Sequence, residues 1–189
     1  MQLRAPATLL SLLAIPWAST ASPVALPRSE PGCSDISFKS FAWEVHNFDF
    51  HASYIFTTPA HQNSWGFVSF ELYNPADKTS THCEASSNQL QDFFYGTVQY
   101  KCGDSGSTSF DFSRPANQLR VNQSWVCDDK DPQWPTTFTG RGEVTLPLDC
   151  TDETWQNPNW ELGQIYSSRN IKCKPVQATI VPFELTAVA

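Results

Sequence analysis

Methionine occurs once in 189 residues, histidine four times and glycine eight times, and lysine plus arginine number 12 against 19 acids. Each scarcity excludes something. Single, scattered basic residues on a chain of net charge −7 offer no stripe for a phosphate backbone or an anionic lipid surface, so neither nucleic acid nor membrane is expected as a partner. His46 and His51 are five residues apart, so on a continuous strand they face opposite sides and cannot share a metal; His61 and His82 read as surface or turn residues. No two cysteines stand at the short spacing of a zinc knuckle, and no Gly-x-Ser-x-Gly elbow occurs. No metal or cofactor is expected. No internal repeat is present, and beyond the N-terminus no apolar run approaches the length of a membrane span.

What is present begins with a leader. Residues 1–21 carry Arg4, a short apolar centre from Leu9 to Ile15, and the small residues Ala18 to Ala21, the layout of a secretory signal peptide. Its removal makes the charge one unit more negative and leaves Ser22 first, which excludes a copper site built on an N-terminal histidine. Residues 22–32 are proline-rich and aperiodic and read as a disordered arm. Export places Cys33, Cys83, Cys102, Cys127, Cys150 and Cys173 in an oxidising, extracellular setting, where an even set reads as disulfides. Six cysteines allow fifteen pairings. Cys83 and Cys102 end neighbouring strands around a loop, and Cys127 and Cys150 flank the following hairpin. Cys33 is then left for Cys173.

Residues 33–185 hold one domain's worth of chain. Period-two alternation dominates: Phe41, Trp43 and Val45, then Phe48 and Phe50; Phe70 and Leu72; Val98, Tyr100 and Cys102; Phe110 and Phe112; Leu119 and Val121; Val144, Leu146 and Leu148. Fourteen prolines and many Ser, Thr and Asn punctuate the runs. Roughly nine or ten short strands predict an all-β fold, an antiparallel β-barrel or sandwich stabilised by disulfides. The expected core is Trp43, Val45, Phe70, Leu72, Val98, Tyr100, Phe110, Phe112, Leu119 and Leu146. Ser87 to Phe94 is the one candidate helical turn, and residues 186–189 read as a frayed tail.

Candidate chemistry is sparse. Asp149, Asp152 and Glu153 could supply an acid pair for glycoside hydrolysis, but beside a cysteine and a threonine-rich turn they read as solvated loop residues. Asp128-Asp129-Lys130-Asp131 lacks the glycine and closing glutamate of a calcium loop and reads as a solvated turn. Asn122-Gln123-Ser124 is a glycosylation sequon at a predicted strand end. Trp65, in His61-Gln-Asn-Ser-Trp65, and Trp155 and Trp160, separated by Gln-Asn-Pro-Asn, set flat aromatic faces beside amides. That combination suits sugar rings or protein contacts, although the plainer reading is that each indole folds back to plug an end of the fold.

The order of an N-terminal cysteine, the strand from Phe41 to His51, Gly66-Phe-Val-Ser-Phe-Glu-Leu72, Cys83, Tyr100-Lys-Cys102, Phe110-Asp-Phe112 and Leu119 to Cys127 resembles the small secreted fungal proteins related to the major Alternaria allergen. The resemblance implies a compact disulfide-bonded β-barrel with no enzymatic activity firmly attached to it, and an elicitor- or effector-like role towards plants. It matches Cys83 and Cys102 to one loop-closing pair and Cys127 and Cys150 to a second. Cys33 matches a cysteine that joins two subunits in the allergen, whereas here Cys173 offers an internal partner, favouring a monomer over a covalent dimer. The expectation is a secreted, non-catalytic binding protein of a fungus whose target is a host or cell-wall protein. The alternatives are a carbohydrate-binding protein using Trp65, Trp155 and Trp160, and a small secreted hydrolase using an acid pair.

Overall fold

The structure is a computed structural model that describes residues 30–88, 93–104 and 106–189. The leader and most of the N-terminal arm lie outside these residues, as do four of the eight positions of the candidate helical turn; its last two, Phe93 and Phe94, are not helical. The folded unit is Pro31–Ala189. It opens with α1 (Cys33–Lys39) and continues through eleven strands: β1 (Trp43–Thr58), β2 (His61–Asn74), β3 (Thr79–Ser87), β4 (Tyr100–Cys102), β5 (Thr108–Ser113), β6 (Gln118–Cys127), β7 (Thr136–Thr145), β8 (Cys150–Gln156), β9 (Ser167–Cys173), β10 (Val176–Ile180) and β11 (Pro182–Val188).

Two antiparallel sheets form, in the order β3-β2-β1-β9-β8 and β11-β7-β6-β5-β4, and β10 pairs β1 beside the first. They pack face to face as a sandwich and do not close into a barrel. The expected all-β class holds, in its sandwich form.

β1 organises the first sheet. Along one edge it pairs β2; along the other its first half pairs β10 and its second half β9. A bulge between His46 and Asp49, with Asn47 in the left-handed region at φ 54°, inserts one residue. This moves the buried set from odd numbers (Trp43, Val45) to even (Phe48, Phe50, Ala52). The bulge also puts His46 and His51 on one face, away from the core, against the expectation for a continuous strand. They still do not meet on a metal: His46 lies 3.2 Å from Glu44 and His51 3.3 Å from Asp49.

The core is aromatic. Phe48, Phe50, Phe70, Phe110 and Phe112 stack or tilt against one another, and Phe41, Trp43, Trp125 and Phe138 form a second group. Trp43 lies so close to β7 that a Cβ on Gly140 would sit 2.7 Å from its ring, so glycine is required there for contact. Its indole N–H donates to Gln123 Oε1 at 2.6 Å; the same oxygen accepts from Asn74 at 3.0 Å, while Gln123 donates to Thr108 at 3.1 Å. This buried network ties the two sheets together. Eight of the ten expected core residues are buried and Tyr100 is partly so. Val98 is half exposed: residues 95–99 follow the β5 edge irregularly between Tyr95, which bridges Ser113, and Tyr100, where β4 starts, and Gly96 O accepts from Arg120.

Three bonds use all six cysteines: Cys33–Cys127, Cys83–Cys102 and Cys150–Cys173. The first is as long in sequence as 94 residues, and it replaces the expected Cys33–Cys173. Cys127–Cys150 is likewise corrected: both flank β7, but the chain leaves the second sheet after β7 and enters the first at β8, where Cys150 stands directly opposite Cys173. Cys83–Cys102 is as expected and joins the two sheets at their β3 and β4 edges.

Sequence periodicity gave no sign of α1. Seven residues are too few to be helical alone, and tertiary contacts hold them: the Cys33–Cys127 bond, a hydrogen bond from Trp125 Nε1 to Ser37, and the Phe38–Phe138 ring contact. The acidic turn expected to be solvated contributes as well. Asp129 accepts from Ser34 N and Oγ at 3.0 and 2.6 Å, and Lys130 reaches Asp35 at 2.8 Å. The expected frayed tail is also corrected, because Thr186, Ala187 and Val188 pair with Thr139, Phe138 and Thr137 of β7.

Candidate binding face

Residues directly opposite across antiparallel strands point to the same side of the sheet. In the first sheet, Trp65 on β2 stands opposite Ser53 on β1, Ser53 opposite Asn170 on β9, and Asn170 opposite Glu153 on β8. The next row outward runs Asn63, Ile55, Ser168, Trp155. Both rows lie on the face turned away from the core, since the alternate residues Ala52, Val68 and Phe70 are the buried ones. The two tryptophans therefore occupy opposite corners of one strand-built patch. Trp65 is 45% exposed and Trp155 52%, so neither folds back as a plug.

Trp65 borders a shallow groove shared with Asp49, His51, Ser53, Asn170 and Lys172. His51 packs edge-on against its ring at 5.4 Å and also against Phe67 at 5.0 Å, which braces the indole. The hydroxyl of Ser53 donates to Asn170 Oδ1 at 2.7 Å at the groove floor. A second groove is lined mainly by Phe56, Thr154, Gln156, Ser167 and Arg169, which by the same alternation stand on the opposite side of the sheet from Trp155. Trp160 behaves differently. Its indole N–H donates to Gln164 O at 2.9 Å and its ring meets Tyr166 edge-on, so it locks the β8–β9 loop and does not join the other two. Trp65 and Trp155 both lie on strands.

Two of the three candidate acids are held in ion pairs. Asp149 accepts from Lys174 at 2.6 Å, and Asp152 takes both a 2.8 and a 3.0 Å hydrogen bond from Arg169 Nε. The Arg169 hydrogen bond holds the Asp152 carboxyl below its usual range, which suits an ion pair and not a general acid. Glu153, next in a period-two strand, points to the other side. His82 and Ser80 both bond Glu71, at 2.8 and 3.2 Å, so the serine proton goes to the carboxylate and not to the histidine, unlike the relay of a serine nucleophile. His61 Nδ1 lies 3.0 Å from Thr57 Oγ1. Among the described residues the one cluster with metal-ligand spacing is Cys33, Cys127 and Asp129, and its two sulfurs are bonded to each other. Asn122 sits mid-strand on the outer side of β6, opposite Ser109 and Arg141, and not at a strand end as expected.

Sequence reading had picked out Trp65 and Trp155 but missed Asp49, His51, Ser53, Asn170 and Lys172. The outward phase of β1 after the bulge is the only local signal for the first three; the approach of β9 has none.

These features define a class: a disulfide-stapled all-β sandwich whose exposed aromatics are mounted on strands. The family profile described as Alternaria alternata allergen 1 matches residues 45–173, well over half of the sequence, and the chain belongs to that family. The matched stretch contains the Cys83–Cys102 and Cys150–Cys173 bonds whole but only one end of Cys33–Cys127. Two crystal structures of the Alternaria alternata allergen Alt a 1 are similar. One is 20% identical over 78% of this chain and 88% of that chain, with a TM-score of 0.41. The other is 17% identical over 79% and 95%, with a TM-score of 0.39. No curated protein matches. No helix among the described residues is long and apolar enough to cross a membrane.

Proposed function

We propose that this chain acts outside the cell as a non-catalytic binding protein, effector- or elicitor-like, and that the outer face of its first sheet is the contact surface. The observation that carries the reading is the pair of half-exposed indoles, Trp65 and Trp155, on one face. Strand-mounted side chains lose little backbone freedom on binding, which makes the patch preorganised. The even disulfide set and the leader support export, and the Cys33–Cys127 bond supports a chain that is not disulfide-linked to a second copy. Asp149 and Asp152, two of the three candidate acids, are held in ion pairs, which favours binding over turnover.

The test is infiltration of purified protein into leaf tissue, with the oxidative burst as readout. The wild type is expected to elicit a response that a Trp65→Ala/Trp155→Ala double variant loses. Turnover of a peptide, ester, glycan or RNA substrate, abolished by a single acid or histidine substitution, would overturn the reading.

A further inference from the structure

We infer that the ligand of this face is a neutral polysaccharide chain laid obliquely across β2, β1, β9 and β8. The inference rests on the contact face proposed above and names its ligand class.

Three features of the patch favour sugar. The first is its dimensions. Trp65 and Trp155 are three strand spacings apart, with an offset of two residues along the strands, which gives a diagonal of about 16 Å from strand spacing and rise. That is the reach of an extended oligosaccharide, longer than a single ring and served by a flat surface more than by a deep pocket. The second is its chemistry. Indole planes at the two ends offer stacking surfaces for the CH faces of sugar rings. Between them lie the exposed Asn170 amide and the partly exposed Ser168 hydroxyl, groups that suit sugar hydroxyls, above the buried Ser53. The buried Ser53 hydroxyl donates to Asn170 Oδ1, which holds the exposed amide beside the groove. The third is charge. Within the two rows spanned by the indoles Glu153 is the one charged residue, Asp49 and Lys172 at the far side of the Trp65 groove are of opposite sign, and the chain as a whole carries −7. An acidic polymer is repelled by that field, whereas a neutral one is not. A protein partner would find no apolar centre between the two indoles apart from Ile55, and interface hot spots gather in such centres.

Affinity gel electrophoresis of the full mature protein provides the test, using gels that contain soluble β-1,3-glucan, hydroxyethylcellulose, glycol chitin or polygalacturonate. At least one neutral polysaccharide is expected to retard the wild type, and polygalacturonate is expected not to. Trp65→Ala and Trp155→Ala should each weaken retardation by about tenfold or more in Kd, a loss typical of a hot-spot side chain. Trp134→Ala, an exposed indole in the β6–β7 turn of the other sheet, should leave it unchanged. Absence of retardation in every neutral gel, strongest binding to polygalacturonate, or retardation indifferent to Trp65 and Trp155 would each overturn the inference. If the wild type ignores all polysaccharides while the double variant still loses elicitation in leaves, the ligand is a protein and only the sugar assignment falls. If the double variant elicits normally, the contact face falls with it.

Discussion

Gln123 offers the most demanding test of how the two sheets are joined. Its amide accepts from Trp43 and Asn74 and donates to Thr108, with all four residues buried. Gln123→Met keeps the volume and leaves the Asn122 sequon intact, so packing and glycosylation are held fixed while three hydrogen bonds are removed. Two N–H donors and a hydroxyl then stay buried without that partner. Each such group costs about 1–3 kcal/mol, and because Thr108 can turn its hydroxyl elsewhere the expected loss is about 3–5 kcal/mol. Urea unfolding with disulfides intact, followed by tryptophan fluorescence, measures it, since Trp43 reports from inside the network. An unchanged slope with a lower midpoint is the expected pattern. Replacing Trp43 and Gln123 together by apolar residues of similar shape should recover part of the loss, because one of the two orphaned N–H donors is then gone; Asn74 is kept because its Oδ1 accepts from the buried Ala76 N at 2.9 Å. A loss below about 1 kcal/mol for Gln123→Met would refute the claim that this network ties the two sheets together.

Non-reducing peptide mapping is expected to recover Cys33 with Cys127, Cys83 with Cys102 and Cys150 with Cys173, and a Cys127–Cys150 peptide would refute the strand crossing between sheets. Replacing Cys33 and Cys127 by alanine should destabilise most, by roughly 4–5 kcal/mol on loop-closure grounds against about 3 for either shorter loop, measured as a shift in unfolding midpoint. The hydrogen bond to Glu71 raises the His82 pKa above the ordinary histidine value. The pair's stabilisation is therefore fully present below the unfolded-state value and lost as pH rises through the folded-state one. NMR titration should find His82 above the ordinary value and Glu71→Gln should lower it; His82 is half exposed, so its effect on stability is small. Peptide N-glycosidase treatment of the secreted protein is expected to lower its mass through loss of a glycan on Asn122, and Asn122→Gln should abolish the shift.

Much of the architecture was legible because a half-buried strand writes its orientation into every second residue. The runs from Trp43 to Phe50 and from Phe70 to Leu72 marked β1 and β2, and even the bulge at Asn47 left a trace in the switch from odd to even apolar positions. The even number of cysteines implied full oxidation, but not the partners. Pairing depends on which strands become neighbours, and Cys150 meets Cys173 only because β8 leaves one sheet for the other. α1 left no periodic signal, since Trp125, Phe138 and Asp129, about ninety positions away or more, hold it. The binding face divides in the same way. Composition and loop-like surroundings singled out Trp65 and Trp155, while the tertiary fold alone set them on one face with Ser53 and Asn170 between them. Local alternation is a property of each strand and can be read in isolation; strand order is a property of the whole chain and cannot.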